Sequence, residues 1–225
     1  MKRAKKKTSN TTPKGTSASA PAHSRELLLK AANEIFSDKG YEQTSTRDIA
    51  QKAGVNISLI SYHFKGKEGL YRACLETLSS QGQETVERVL KKPASMEDFK
   101  TRLNIFIEEF INLHLSNPDN SCVIMREICS PTPNPIAMEM FKSKFIVVFE
   151  KLIDFLNYAQ KQKYIVSSAN TEIIGTMIMG CITHLMRTEM LRKTILGVPG
   201  LLEPNQIEKT INQVANNILN GITPR

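Results

Sequence analysis

Residues 44–70, TSTRDIAQKAGVNISLISYHFKGKEGL, constrain the fold more tightly than any other stretch of the chain. They predict two short helices joined by a tight turn and followed by a third. Thr44 or Ser45 can cap the first helix, because a side-chain oxygen there can accept an orphan backbone N–H of the opening turn. Ile49, Ala50 and Ala53 give that helix an apolar stripe. Gly54 ends it, since a C-terminal cap needs a left-handed backbone that Gly adopts without strain. Asn56 can cap a second helix running to about His63, with Leu59, Ile60 and Phe64 turned inward. Two helices linked by so few residues form a helix-turn-helix unit.

In such units the second helix enters the major groove of DNA. Here the run Thr46-Arg47-Asp48-Ile49-Ala50, then Ala53-Gly54-Val55, then Tyr62 to Leu70 resembles the DNA-binding domain of the TetR family of bacterial transcriptional regulators. The match extends back through Ala32, Phe36, Gly40 and Tyr41 and covers roughly residues 24–75. The resemblance implies a twofold dimer with recognition helices about 34–36 Å apart on a near-palindromic operator. It assigns Thr46 and Arg47 to phosphates, with Arg47 within reach of a base. Asn56, Ile57, Ser58 and Ser61 become the base-edge candidates. Tyr62 and His63 are expected on the sugar-phosphate backbone, and Lys67 adds a charge beside a helix N-terminus. The face lacks the Arg-guanine and Gln-adenine pairing groups; its small hydroxyls, one amide and Ile57 suit hydroxyl hydrogen bonds and thymine methyls.

The net charge of +8 is unevenly spread. Seven of the 30 Lys and Arg residues lie within residues 1–25, which hold no acid, so the remaining 23 nearly balance the 22 acidic residues. Residues 1–22 are rich in Lys, Ser, Thr, Ala and Pro, and such a segment cannot bury enough apolar surface to offset the entropy of ordering. A disordered basic tail is expected, either an arm that adds phosphate contacts or a solvated end with no specific role. Its basic start is not followed by the apolar run of a secretory signal. The longest nearly uncharged apolar stretch, Ile173 to Met186, has 14 residues, too few to span a bilayer. A cytoplasmic protein without membrane attachment is expected. Cys74, Cys122, Cys129 and Cys181 show no metal-ligand spacing and read as small hydrophobes in a reducing compartment. No Gly-rich phosphate loop, HExxH or GxSxG occurs, so neither an enzyme nor a cofactor is expected.

Beyond residue 70 the pattern is one of successive amphipathic helices, and the whole chain is expected to be all-α: a helix-turn-helix domain over 23–70 and a larger helical domain for ligand binding and dimerisation over 71–225. One helix should run from Lys67 to about Leu90, weakly interrupted at Gly82. Ser95 can cap the next, which carries Leu103, Phe106, Phe110 and Leu113 to about Leu115. A short helix follows the turn at Asn117-Pro118-Asp119. Residues 131–135 (PTPNP) must be extended. The helix after them is apolar around much of its circumference and should be central. The Arg126-Glu127 pair with Pro131-Thr132-Pro133 resembles the CecR-like branch, which implies a repressor sensing a small molecule; a proline loop after a helix-end ion pair accounts for the same residues.

The last two helices, apolar at Ile174, Met177, Ile178, Cys181, Leu185 and at Ile207, Ile211, Val214, Ile218, Ile222, can pack on their own core. In the family the corresponding pair makes a homodimer, and Gly175 and Gly180 permit close approach. Effector-pocket candidates are Phe106, Phe110, His114, Met125, Arg126, Met177, Cys181 and His184: aromatic, soft or polar groups on otherwise apolar helices. His114 and His184 must find polar partners if buried. The partners expected are a double-stranded DNA operator, a small-molecule effector and a second copy of the chain, with the protein acting as a ligand-released repressor. An activator of the same fold, or a nonspecific DNA-coating protein, are the alternatives.

Overall fold

A computed structural model describes residues 19–224, and every regular element among them is helical. The order is α1 (Ser19–Lys39), α2 (Thr46–Ala53), α3 (Ser58–Phe64), α4 (Lys67–Val89), α5 (Met96–Ser116), α6 (Pro118–Ile128), α7 (Pro135–Met140), a π-helical turn (Phe141–Phe145), α8 (Ile146–Lys161), α9 (Thr171–Thr194) and α10 (Ile207–Ile222). Helix α1 begins inside the segment expected to be tail; residues 1–18 lie outside the described residues.

The local signals near the N-terminus act as the sequence predicts. Ser45, in an extended conformation, accepts from the Asp48 N–H at 3.1 Å and caps α2. Gly54 closes α2 at φ 66°, ψ 30°, donating to Gln51 O while Val55 N donates to Ala50 O, the paired bonds of a Schellman ending. The other capping candidate, Thr44, is buried and donates to Gly40 O at 2.6 Å, fixing the turn after α1. Gly69 has a different task. A Cβ there would lie 1.8 Å from Phe64 O, so only Gly lets the first turn of α4 pass the last turn of α3.

Two apolar cores form, and they do not divide at residue 70. The first joins α1, α2, α3 and the first half of α4 to Val123 and Ile124 of α6 and to Ala137 and Met140 of α7. Within it Phe36, Tyr41 and Tyr71 form an aromatic cluster with centroids 4.8–6.0 Å apart. The second joins the end of α4 to α5, α8, α9 and α10. Helix α4 therefore belongs to both, and the expected boundary at residues 70/71 falls inside it. Gly82 does not interrupt this helix.

Three further expectations change in detail. Asn134 caps α7 by accepting from the Ile136 N–H at 2.9 Å, and Pro135 takes the first helical position, where its missing N–H has no partner to lose. The central helix expected after the proline stretch carries a π turn, and Phe141, Phe145 and Phe149 are only half-buried; it is covered on one side rather than all round. On α9 the inward stripe is Ile174, Ile178 and Ile182, while Met177 is 62% exposed. Gly175 faces α8, where an added Cβ would meet Ile153 Cδ1 at 2.5 Å, so it serves packing within the chain; Gly180 faces open space.

Candidate nucleic-acid interface and effector cavity

Helix α3 is held so that one side is core and the other is free. Ile60 and Phe64 are buried, while Asn56, Ile57, Ser58, Ser61 and Tyr62 are exposed, Ile57 at 47% and Tyr62 at 74%. Asn56 Oδ1 accepts from the Ser58 N–H at 2.9 Å and the Ser58 hydroxyl at 2.8 Å, capping the helix and fixing its leading edge. Thr46 is half-buried at the start of α2 and Arg47 beside it is exposed. The helix ends at Lys65, a non-glycine residue at φ 61°, a conformation that costs about 1 kcal/mol and turns the chain into α4. Lys65 is exposed, and among the described residues neither it nor Arg47 has a carboxylate within ion-pair distance.

Two of the backbone candidates are engaged in ways sequence does not show. The His63 ring Nε2 lies 2.9 Å from Ser24 Oγ, tying α3 to α1. Lys67 is half-buried with Nζ 4.2 Å from the Tyr41 ring centroid, a cation–π contact. Gly66 supplies no side-chain cap, so the first N–H groups of the 23-residue α4 stay open to an anion. Lys65, which the sequence reading leaves out, sits beside them. Its signal was the cationic residue at the helix-ending turn.

Residues 28–74 match the family described as bacterial regulatory proteins, tetR family. The chain carries a TetR-type DNA-binding domain. It is 39% identical over 71 residues to the probable HTH-type transcriptional regulator YttP of Bacillus subtilis (strain 168), a match covering 32% of each chain. It is 24% identical over 203 residues to the uncharacterized HTH-type transcriptional regulator YdgC of the same organism, 90% of this chain and 94% of that one. A putative fatty acid metabolism regulator of Clostridium perfringens shares the fold, with a TM-score of 0.72 at 18% identity over 88% of this chain and all of that one.

Behind the TetR-type domain, a cavity of 860 Å³ lies between α4, α5, α6, α8 and α9. Four of the pocket candidates, Phe110, His114, Met125 and His184, line it. The other four do not. Phe106, one turn before Phe110, is fully buried in the core and packs on that ring at 5.4 Å. Met177 points to solvent, and half-buried Cys181 lies off the cavity-facing side of α9. Arg126 turns the opposite way, donating through Nη1 to Ser37 O at 3.2 Å and Asp38 O at 3.0 Å, the last carbonyls of α1. Gly82 opens the wall, since a Cβ there would touch Val148 and Phe110.

Both histidine expectations resolve. His114 is buried, its Nδ1 2.8 Å from Ser121 Oγ. That hydroxyl is itself within reach of the Asn117 and His114 carbonyls at 2.9 and 3.2 Å, which directs its proton to a carbonyl and places the ring proton on Nδ1. Burial pushes the imidazole down to about 4, so it is neutral at pH 7. His184 is exposed at the cavity edge.

Arg126 and Glu127 do not pair with each other. Glu127 is buried beside the first core, its two oxygens accepting from the Tyr71 hydroxyl and the Asn134 N–H, each at 2.7 Å. Burial and this carboxyl raise the Tyr71 phenol well above its ordinary range. Among the described residues no group of His, Cys, Asp and Glu could hold a metal, and no helix is long and apolar enough to cross a membrane.

Proposed function

We propose that the protein is a ligand-released transcriptional repressor that binds a near-palindromic operator as a homodimer. The observation that carries this reading is the double role of α6. One side of it lines the cavity through Ile124, Met125 and Ile128. The other side holds the end of α1: Arg126 donates to two carbonyls there, and Asp119 Oδ1 accepts from the Ser37 hydroxyl at 3.3 Å. The opposite end of α1 is tied to the recognition helix by Ser24 and His63. A molecule that displaces α6 acts on α1, and through it on α3. Occupancy then favours a state in which paired recognition helices no longer match successive grooves.

Base reading is assigned to Asn56, Ile57, Ser58 and Ser61, and phosphate contacts to Thr46, Arg47, Lys65, Tyr62, Lys67 and the N-terminus of α4. His63 acts by fixing α3 on α1. The dimer reading is supported by Ile173 and Met177, 58% and 62% exposed one turn apart on α9, whose apolar surface a second copy would cover. The resemblance to the CecR-like branch, confined to residues 126–133, adds the expectation of a small xenobiotic effector.

Selection of bound DNA from a random library at physiological salt tests the reading. Enrichment of one near-palindrome is expected, bound with at least a thousandfold preference over unrelated DNA. Binding without enrichment, at a ratio near one, refutes sequence-specific repression. A reporter carrying the selected site overlapping its promoter must show lower expression with the protein present; unchanged expression refutes the repressor assignment.

A further inference from the structure

The polarity of the 860 Å³ cavity is divided between its two sides. The wall built by α4, α5, the π turn and α8 is hydrocarbon and aromatic: Leu78, Phe110, Leu113, Phe145, Val148 and Phe149. The facing wall is α9, where Thr176, Thr183, His184, Arg187 and Thr188 stand among Met179, Gly180 and Leu191 and supply most of the polar groups. Among the described residues no carboxylate lines the cavity, and Arg187 is the one fixed charge there. The two polar groups on the apolar side are already occupied. His114 is neutral and bonded to Ser121, and the Ser79 hydroxyl donates to Glu76 O at 3.0 Å.

The threonines cannot hold an anion either. Thr176, Thr183 and Thr188 give their hydroxyl protons to carbonyls of their own helix at 2.8–3.1 Å, leaving only acceptor lone pairs toward the cavity. Arg187 differs. Among the described residues it has no carboxylate partner, and it directs one Nη1–H at Cys129 Sγ at 2.8 Å. A guanidinium carries five donors in a planar fork that matches a carboxylate through two parallel bonds. Desolvated apolar walls with one unpaired cation at the edge select a ligand that is apolar over most of its length and anionic at one end.

We propose that this cavity takes an amphipathic monoanion, its apolar body against the α4–α5–α8 wall and its single carboxylate on Arg187. The inference rests on the cavity being the effector site, and it names the chemical class of that effector. Because Arg187 also reaches Cys129 at the end of α6, a carboxylate that captures the guanidinium loosens the contact between α9 and the helix that holds α1.

Calorimetric titration of the purified full-length chain with decanoate, decanol and decylamine tests the class directly, without DNA. Decanoate is expected to bind at least tenfold more tightly than decanol, with decylamine weakest, and its affinity should fall as salt rises. R187Q should bring decanoate down to the level of decanol while leaving decanol affinity unchanged; R187K should restore part of the difference. Equal binding of acid and alcohol, a preference that survives R187Q, or binding of none of the three overturns the proposal. A labelled operator separates this from the wider reading. If decanoate binds through Arg187 and DNA affinity stays unchanged, the effector role fails while the ligand class stands.

Discussion

Replacing His114 with Asn removes a titratable group from the cavity wall while keeping a donor near the position of Nδ1. The structure sets the size of the effect. The ring is buried and titrates at about 4, against 6.5 when exposed. A His whose folded value is depressed adds no pH dependence well above 6.5, because neither state is charged. As pH falls through 6.5 the unfolded chain takes up a proton that the folded chain refuses, so stability is lost down to about pH 4. With about 1.4 kcal/mol per pH unit, the full loss is ~3 kcal/mol, of which ~1 is reached at pH 6 and ~2 at pH 5. For a urea slope of ~2–3 kcal/mol per M, 2 kcal/mol moves the unfolding midpoint by ~0.7–1 M.

The assay is urea unfolding followed by circular dichroism at pH 7.5, 6 and 5, for the native chain and His114→Asn. Carboxyl groups titrate in both proteins, so the comparison isolates the imidazole. The native midpoint should fall by ~0.7–1 M more than that of the variant between pH 7.5 and 5. Parallel curves would refute the buried neutral imidazole.

Gly69→Ala should destabilise the protein by at least ~3 kcal/mol and abolish operator binding, since the new Cβ meets Phe64 O at 1.8 Å and the α3–α4 angle must open; thermal melting and an anisotropy titration read both effects. Tyr71→Phe removes the 2.7 Å bond to Glu127 and should cost ~1.5–3 kcal/mol, with a non-additive double mutant when combined with Glu127→Gln; additive losses would show that the two side chains do not share one interaction. Tyr62→Ala should weaken binding to all DNA sequences alike, whereas Asn56→Ala and Ser58→Ala should change which bases are preferred in a repeated selection. Uniform loss from all three would remove Asn56 and Ser58 from base reading.

Much of the DNA-binding unit was legible in the sequence because its signals act within one or two helical turns. The Ser45 cap, the Gly54 ending and the Asn56 cap each join groups two to five residues apart, so neighbouring letters contain both partners. The exposed face of α3 follows from the same short range: once Ile60 and Phe64 go inward, Ser58, Ser61 and Tyr62 must go out. The tertiary structure decided the rest. Phe106 and Phe110 look alike along α5, yet one closes the core and the other opens on the cavity, because α8 and α9 cover α5 unevenly. Gly175 serves α8 of its own chain, a choice set by where Ile153 lies. Ser24 and His63 are 39 residues apart, and Arg126 is 88 residues from Asp38. Periodicity identifies the face a helix buries. Which neighbour covers that face, and whether the fit is tight or leaves a cavity, depends on packing between segments distant along the chain.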